Sequence, residues 1–487
     1  MEKVSIFILL LLGTCLQSCA KKENKGLQRT EVAVELQKTL VGVGEGLQQE
    51  IPHSEIKVDF PEDFVVVSGR LVRYQGTEKD VIVPEGICVI GKEAFAENRE
   101  ITSVHLPEGV TWIQQYAFYH CSNLKEVVIP ETLEAIGTEA FGWCTGLEHI
   151  DLHAVKYLRQ YVFNGCKNLR VADLSSLEEL EEGAFRAAGI EEIIGLESIK
   201  KVGKEVFEDT PLYNKYLEKG EGLLIRGPLL ISGQHTEGVV EIPEGIKIIL
   251  DKAFYENHQI VRVVFPDTML EIGYEAFLGC DRLDEVNMPD SIVRLGYAAF
   301  AYCDGLQQIR LSQNLSEIPA NCFGGCETTR ITVPQHCSVA DRALINFGTK
   351  GCRLTLPPDI KNIGNIFLNL DDDGNEDPDI IGGYCFYTTD ILSEKNSLVR
   401  IAKERGWKLE ALQLEADELT LHVGDTYVLR FNSGADAVWE LDNDRVLSLE
   451  EEEIFCDRKL TALKVGTAVV TAKIYGKEYT CVVNVVE

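Results

Sequence analysis

The sequence predicts two folds in tandem: a solenoid built from short parallel strands in repeats of about 23 residues, then an all-β sandwich. Three observations predict it. A pattern of the form apolar-x-x-Val-x-Ile-Pro-Glu-x-x-x-x-Ile-Gly-x-x-Ala-Phe-x-x-Cys recurs along most of the chain, with one clean copy from Leu124 to Cys144. An aromatic anchor falls at Phe95, Phe118, Phe141, Phe163, Phe185 and Phe207, and resumes at Phe254, Phe277, Phe300 and Phe323; successive spacings are 22 or 23 residues, with one interval of 47. From about Ala411 the period vanishes, and apolar runs separated by turn residues follow one another, as in a β-sandwich.

A period in this range, with one short strand per unit, is the signature of a leucine-rich-repeat solenoid. Within a repeat, Lys125 to Ile129 alternates, so Val127 and Ile129 face inward and Glu126 and Val128 outward. Pro130 ends the ladder because it has no N–H to donate. Ile136 and Phe141 return to the core on the opposite wall. One repeat cannot bury these faces alone; its neighbours cover them.

The elements follow in order. Residues 1–18 read as a signal peptide: Lys3 precedes a short apolar run from Val4 to Leu12, and Leu16-Gln17-Ser18-Cys19 resembles a bacterial lipobox whose Cys19 is acylated. Cleavage as an ordinary secretory peptide is the other reading. Residues 19–59 read as a tether, residues 60–333 as the solenoid, 334–410 as degenerate repeats with a C-terminal cap, and 411–487 as the sandwich. Phe64 to Ile87 lacks the anchor and reads as a capping module; a similar module from Gly222 to Ile246 accounts for the long interval.

Fifteen cysteines in an exported chain would ordinarily mean disulfides. Here Cys121, Cys144, Cys166, Cys280, Cys303 and Cys326 each stand three residues after an anchor Phe, where other repeats carry Asn98, Ala188, Thr210 and Asn257. Interchange among small residues at one repeat site predicts buried free thiols serving the turn. Cys456 and Cys481 lie in the sandwich, and their pairing is open.

The net charge of −31 argues against nucleic acid, whose phosphates need Lys and Arg. It would also repel an acidic membrane surface, leaving the acyl chains as the membrane contact. The strand face is the expected binding surface. Its outward residues are Ser103, His105, Glu126, Val128, His149, Asp151, Val171, Asp173, Glu192 and Ile194 in the first block, and Arg262, Val264, Glu285, Asn287, Gln308, Arg310, Arg330 and Thr332 in the second. The first set is acidic and His-bearing and the second Arg-bearing, a gradient suited to a ligand with separated charges.

Competing chemistries are weak. His149 and His153 straddle a strand and its turn without the Glu of a zinc helix. Cys322 and Cys326 have no second pair for zinc. His120-Cys121 and His336-Cys337 offer no positioned base or oxyanion site. Asn369 to Gly374 imitates the start of a calcium loop, but Ile380 stands where a bidentate Glu belongs. No catalytic residue, metal or cofactor is therefore assigned.

The residues carrying Ile-Pro-Glu, Ile-Gly, Ala-Phe and Cys resemble BspA-like leucine-rich repeats of bacterial surface proteins over about residues 60–410. Leu421, Val423-Gly424-Asp425, Trp439, Val446, Ala462-Leu463 and Val465-Gly466-Thr467 resemble a group 2 bacterial immunoglobulin-like domain. The resemblance implies a non-enzymatic, adhesin-like outer-membrane lipoprotein at the cell surface, binding a host matrix protein, glycoprotein or glycan. Glycan capture for nutrient uptake and a periplasmic scaffold are the alternatives, since Lys21-Lys22 stand where an acidic surface-export run would follow Cys19.

Overall fold

The structure is a computed structural model of the chain. It describes residues 60–328, 330–344, 353–360, 363–364, 385–389, 391, 397–452 and 457–487. The expected signal peptide, tether and acylated Cys19 lie outside these residues, as do the calcium-like loop and Cys456. The chain divides into two compact units, meeting in sequence at Lys215 and Tyr216.

The first unit opens with an antiparallel hairpin, Phe64–Val67 against Arg70–Tyr74. Two-residue strands then add to it in parallel, one per repeat, from Val89–Ile90 through Ala135–Ile136 to Lys201–Val202. On the other wall, Asp80–Ile82, Ser103–His105, Glu126–Val128 and His149–Ile150 form a parallel sheet. Val171–Leu174 and Glu192–Gly195 pair likewise. Between the walls the anchor rings stack as one column. Phe95 and Phe118 lie 4.8 Å apart with planes 8° from parallel, and Phe118 and Phe141 lie 5.0 Å and 4° apart. Phe163 and Phe185 continue the column. The hairpin supplies Tyr74, which tilts over Phe95 at 5.2 Å and covers the end of the stack.

The turn between Ile-Gly and Ala-Phe explains itself in backbone terms. Glu93, Tyr116, Glu139 and Tyr161 each stand two residues after the Gly or its counterpart, and each adopts a positive φ between 50° and 59°. That conformation disfavours side chains with a Cβ. It persists because each of these N–H groups donates to a carbonyl of the next repeat: Glu93 to Gln115, Tyr116 to Thr138, and Glu139 to Gln160. Gly137 is required for a different reason. A Cβ there would fall 2.7 Å from the Gln115 nitrogen of the preceding turn.

The thiol column behaves as expected. The Sγ of Cys121, Cys144 and Cys166 donates to the carbonyl of the Phe one repeat back, at 3.1, 2.9 and 3.1 Å. All are buried and free. Asn257 takes the same position with several bonds, its amide reaching the carbonyls of Gly233 and Thr236 at 3.0 Å.

The second unit repeats the plan. Its hairpin, Gly222–Arg226 against Leu229–His235, starts a sheet continued in parallel by Ile248–Ile249, Glu271–Ile272 and Arg294–Leu295. The strand face runs through Gly238–Glu241, Ile260–Val264, Glu285–Asn287 and Gln308–Arg310. It resumes as a second parallel sheet, Arg330–Thr332, Arg353–Thr355, Cys385–Thr388 and Leu409–Ala411. The helix Ser397–Arg405 buries Leu398 and Ala402 against this end.

After Leu412 the periodic core ends. Glu418–His422, Lys477–Val486, Gly466–Ile474 and Val438–Leu441 form a mixed sheet, because the first two of these run parallel. Thr426–Leu429, Arg458–Ala462 and Leu447–Glu451 form an antiparallel one. Leu429, Leu447 and Leu460 of the second sheet meet Val470, Val483 and Cys481 of the first in one core. Cys481 is free and buried. Trp439 is only partly buried at the rim of this core and packs against Phe431 at 5.8 Å.

Candidate ligand face

The strand face carries two columns of outward side chains, fixed by the ladder register. In the first unit one column reads Asp80, Ser103, Glu126 and His149, and the second Ile82, His105 and Val128. Val171 stands beside Glu192, and Asp173 beside Ile194. These side chains are exposed or half-buried. Apolar members stand open among the charges: Ile82 is 75% exposed, and Val128, Val171 and Ile194 are also exposed. Ile82 was not among the sequence-predicted residues, because the first face strand belongs to the capping module and lacks the anchor that sets the register.

Small bonds tie this face together. Ser103 and Thr102 donate to the Asp80 carboxylate at 2.8 and 3.0 Å, and these bonds hold that carboxyl below its ordinary value. His153 bonds Asp151 at 2.7 Å and reaches Glu131 at 3.5 Å. The Asp151 bond, then its charge, raises the His153 imidazole above its ordinary value. His153 therefore serves Asp151, and His149 stands apart from it in the other column.

In the second unit the predicted Arg-bearing face is not free. Arg262 pairs with Glu285 across neighbouring strands at 2.7 Å. Burial pushes the Glu285 carboxyl up, against the pull of Arg262. Arg310 pairs with Asp436 at 3.2 Å, and Arg330 faces Asp457 at 3.7 Å. Both acids belong to the C-terminal β-domain. Thr332 accepts the Asp436 N–H at 3.0 Å, Arg353 donates to the Asn432 carbonyl at 3.1 Å, and the Thr355 and Ser433 hydroxyls bond at 3.0 Å. The hairpin tip at Tyr475 donates its hydroxyl to the Val333 carbonyl at 2.6 Å. Arg310 and Arg330, expected to stand open on the face, are held here by acids of the chain's own β-domain. Arg262, Arg310 and Arg330 thus each face an acid. No local pattern in the sequence signals this, because the partners lie far along the chain.

Upstream of that joint the face stays open. Arg262, Val264, Glu285, Asn287, Asp290 and Arg310 line a groove of about 350 Å³. Gln308 shares a strand with Arg310 and is half-buried. A larger depression of about 600 Å³ lies on the opposite wall of the first unit, between Tyr116, Tyr119, Glu97 and Glu139. Further along that wall, Trp143 is partly exposed beside His120, their rings nearly parallel at 6.1 Å. Cys121 is buried beneath and bonded to Phe95, which leaves no reactive pair with His120.

Residues 88–213 and 237–348 match the model of the BspA type leucine-rich repeat region, in six copies. No curated protein matches the chain. Among solved structures, a leucine-rich cell surface protein from Faecalibacterium prausnitzii A2-165 is 22% identical, with 62% of this chain and 92% of that one covered and a TM-score of 0.30. A leucine-rich repeat protein from Bacteroides ovatus ATCC 8483 is 20% identical, with the same coverage and a TM-score of 0.26. The leucine-rich repeat protein of T. pallidum is 22% identical, with 44% and 82% covered and a TM-score of 0.25. Among the described residues, no helix is long and apolar enough to cross a membrane. Over those two stretches the repeats are similar to the BspA type of leucine-rich repeat region.

Proposed function

We propose that this chain is a non-enzymatic surface-binding protein that takes a protein ligand on the strand face of its first unit. One observation carries the reading: exposed Ile82, Val128 and Ile194 stand in fixed register with Ser103, His105, Glu126, His149 and Glu192. Open apolar side chains interleaved with charge suit a protein surface, which offers both. The rigid ladder holds them in place, so binding need not order them first. Asp151 and Asp173 add acceptors along the same face. In this reading Cys19 anchors the chain to the outer membrane through its acyl group, and the C-terminal sheets are an immunoglobulin-like module. The BspA type of the repeats supports an adhesin-like role.

The test is binding of a soluble, non-acylated chain carrying Cys19→Ala to matrix proteins, mucins and glycans. A saturable protein ligand lost in Val128→Lys but kept in Asn287→Lys supports the first-unit face. Glycan binding that survives Val128→Lys would move the site to the opposite wall, where Trp143 and His120 offer ring faces. Protease treatment of intact cells separates a surface protein from a periplasmic scaffold, which would stay protected.

A further inference from the structure

The second unit's strand face ends in a joint with the β-domain, and that joint has an unusual composition. Its apolar share is a cluster in which Tyr387 and Leu412 meet Phe431, Ala435, Ala472 and Ile474, with Tyr475 and Tyr479 packed against them. Beside it lie buried polar groups. Thr355 and Ser433 are each 1% exposed and bond each other, and Asp457 is 2% exposed. Asp457 Oδ1 and Arg330 Nη1 are buried and make no hydrogen bond, although they face each other at 3.7 Å. Arg430 lies at the same 3.7 Å from the Asp457 carboxylate. Burying a carboxylate at ion-pair distance with one oxygen lacking a hydrogen bond carries a desolvation cost that can exceed the attraction. A joint made only for permanence would fill such a site with apolar side chains. This one keeps specificity and gives up strength.

We propose that the C-terminal β-domain is a releasable internal occupant of the second unit's strand face, closing the Arg310–Arg330 end to an external ligand until the joint opens. Release would uncover Arg310, Arg330, Thr332 and Arg353 together. It would also extend the open groove at Arg262 and Asn287 by the length of the vacated strands. The occluding role rests on the strand-face reading of function. The opening itself does not, and it can be measured with no ligand present.

The test uses the full chain carrying Ser433→Cys and a maleimide. Three thiols then report three events: position 433 the joint, Cys303 the repeat core and Cys481 the β-domain core. The expected result is alkylation at position 433 about a hundredfold faster than at Cys303 or Cys481, since local opening needs less free energy than unfolding. Adding Arg310→Glu should speed position 433 alone by about tenfold, and exchanging the charges with Arg310→Asp and Asp436→Arg should reverse most of that. Alkylation at position 433 no faster than at Cys481 overturns the proposal, as does indifference to Arg310→Glu. If Ser433→Cys does not fold, hydrogen exchange of the Asp436 amide, with and without Arg310→Glu, gives the same decision, because that amide donates to Thr332 across the joint.

Discussion

The ring of Phe277 lies against that of Phe300, with centroids 5.0 Å apart and planes 2° from parallel. Each ring is wholly buried, and each belongs to a different repeat, so the contact is the interface between repeats. Removing one ring breaks two such contacts and leaves a cavity that the flanking backbones cannot close.

Phe300→Ala should therefore lower unfolding stability by about 3–5 kcal/mol. Loss of cooperativity in the second unit should accompany it, since repeat arrays depend on neighbour contacts. Urea unfolding followed by circular dichroism measures both, and an unchanged midpoint would contradict the ring column as the source of cohesion.

Gly233→Ala should destabilise the start of the same column. A Cβ at Gly233 would fall 2.0 Å from the Phe254 ring, which is wholly buried and cannot swing away. Overpacking of this kind costs about 1–3 kcal/mol. Gly245→Ala meets no atom within 4 Å and serves as the contrast, carrying only the strain of its φ of 92°.

The buried thiols predict an alkaline loss of stability. Burial pushes Cys280 up to about 12, and Cys303 well above its ordinary value. An unfolded thiol ionises from about 8.5. Below that pH both states hold the proton and stability is full. As pH rises above it, the unfolded chain loses protons that the folded chain keeps, so stability falls until the folded values are reached. Each thiol contributes a slope of about 1.4 kcal/mol per pH unit. Unfolding midpoints at about pH 8 and 10 should show this, and Cys280→Ala should flatten the slope.

The joint predicts the same sign at acid pH. Burial raises the carboxyls of Asp436 and Asp457 above their ordinary value, against Arg310 and Arg458 for the first and Arg330, Arg430 and Arg458 for the second. Glu451, Asp290 and Glu452 add to the rise. When the joint opens, water returns and the values fall back towards about 3.9. The closed state thus holds protons more tightly. Its advantage is full below the ordinary value and is lost as pH rises through the raised ones. Exchange of the Asp436 amide, corrected for its intrinsic pH dependence, should be slower at about pH 4, near the ordinary carboxyl value, than near neutrality; the reverse order would contradict the burial argument.

Much of this molecule was legible in the sequence, for one reason. The repeat, the ring column, the thiol column and the two hairpins are local patterns copied from unit to unit, and Phe141 and Cys144 report their positions wherever the motif recurs. The left-handed residues at Glu93, Tyr116 and Glu139 were hidden, because the stabilising bond comes from the next repeat and no Gly marks the site. The partners of Arg310 and Arg330 were hidden more deeply. Outward facing on a strand is decided by alternation, but whether another part of the chain lies upon that face is decided by tertiary contact, which alternation does not encode.

The paired strands of the face have one last consequence. Neighbouring strands sit about 4.8 Å apart, and nothing about the side chains alters that step. The first unit is in effect a ruler whose graduations are amino acids: Glu126 stands one division from Ser103 and one from His149. Exchanging a letter on such a ruler changes what is read without moving any other mark. In the proposed function, selectivity can then drift by single substitutions at the surface while the interior stays untouched, and a ligand is distinguished by the order of its own groups along a line.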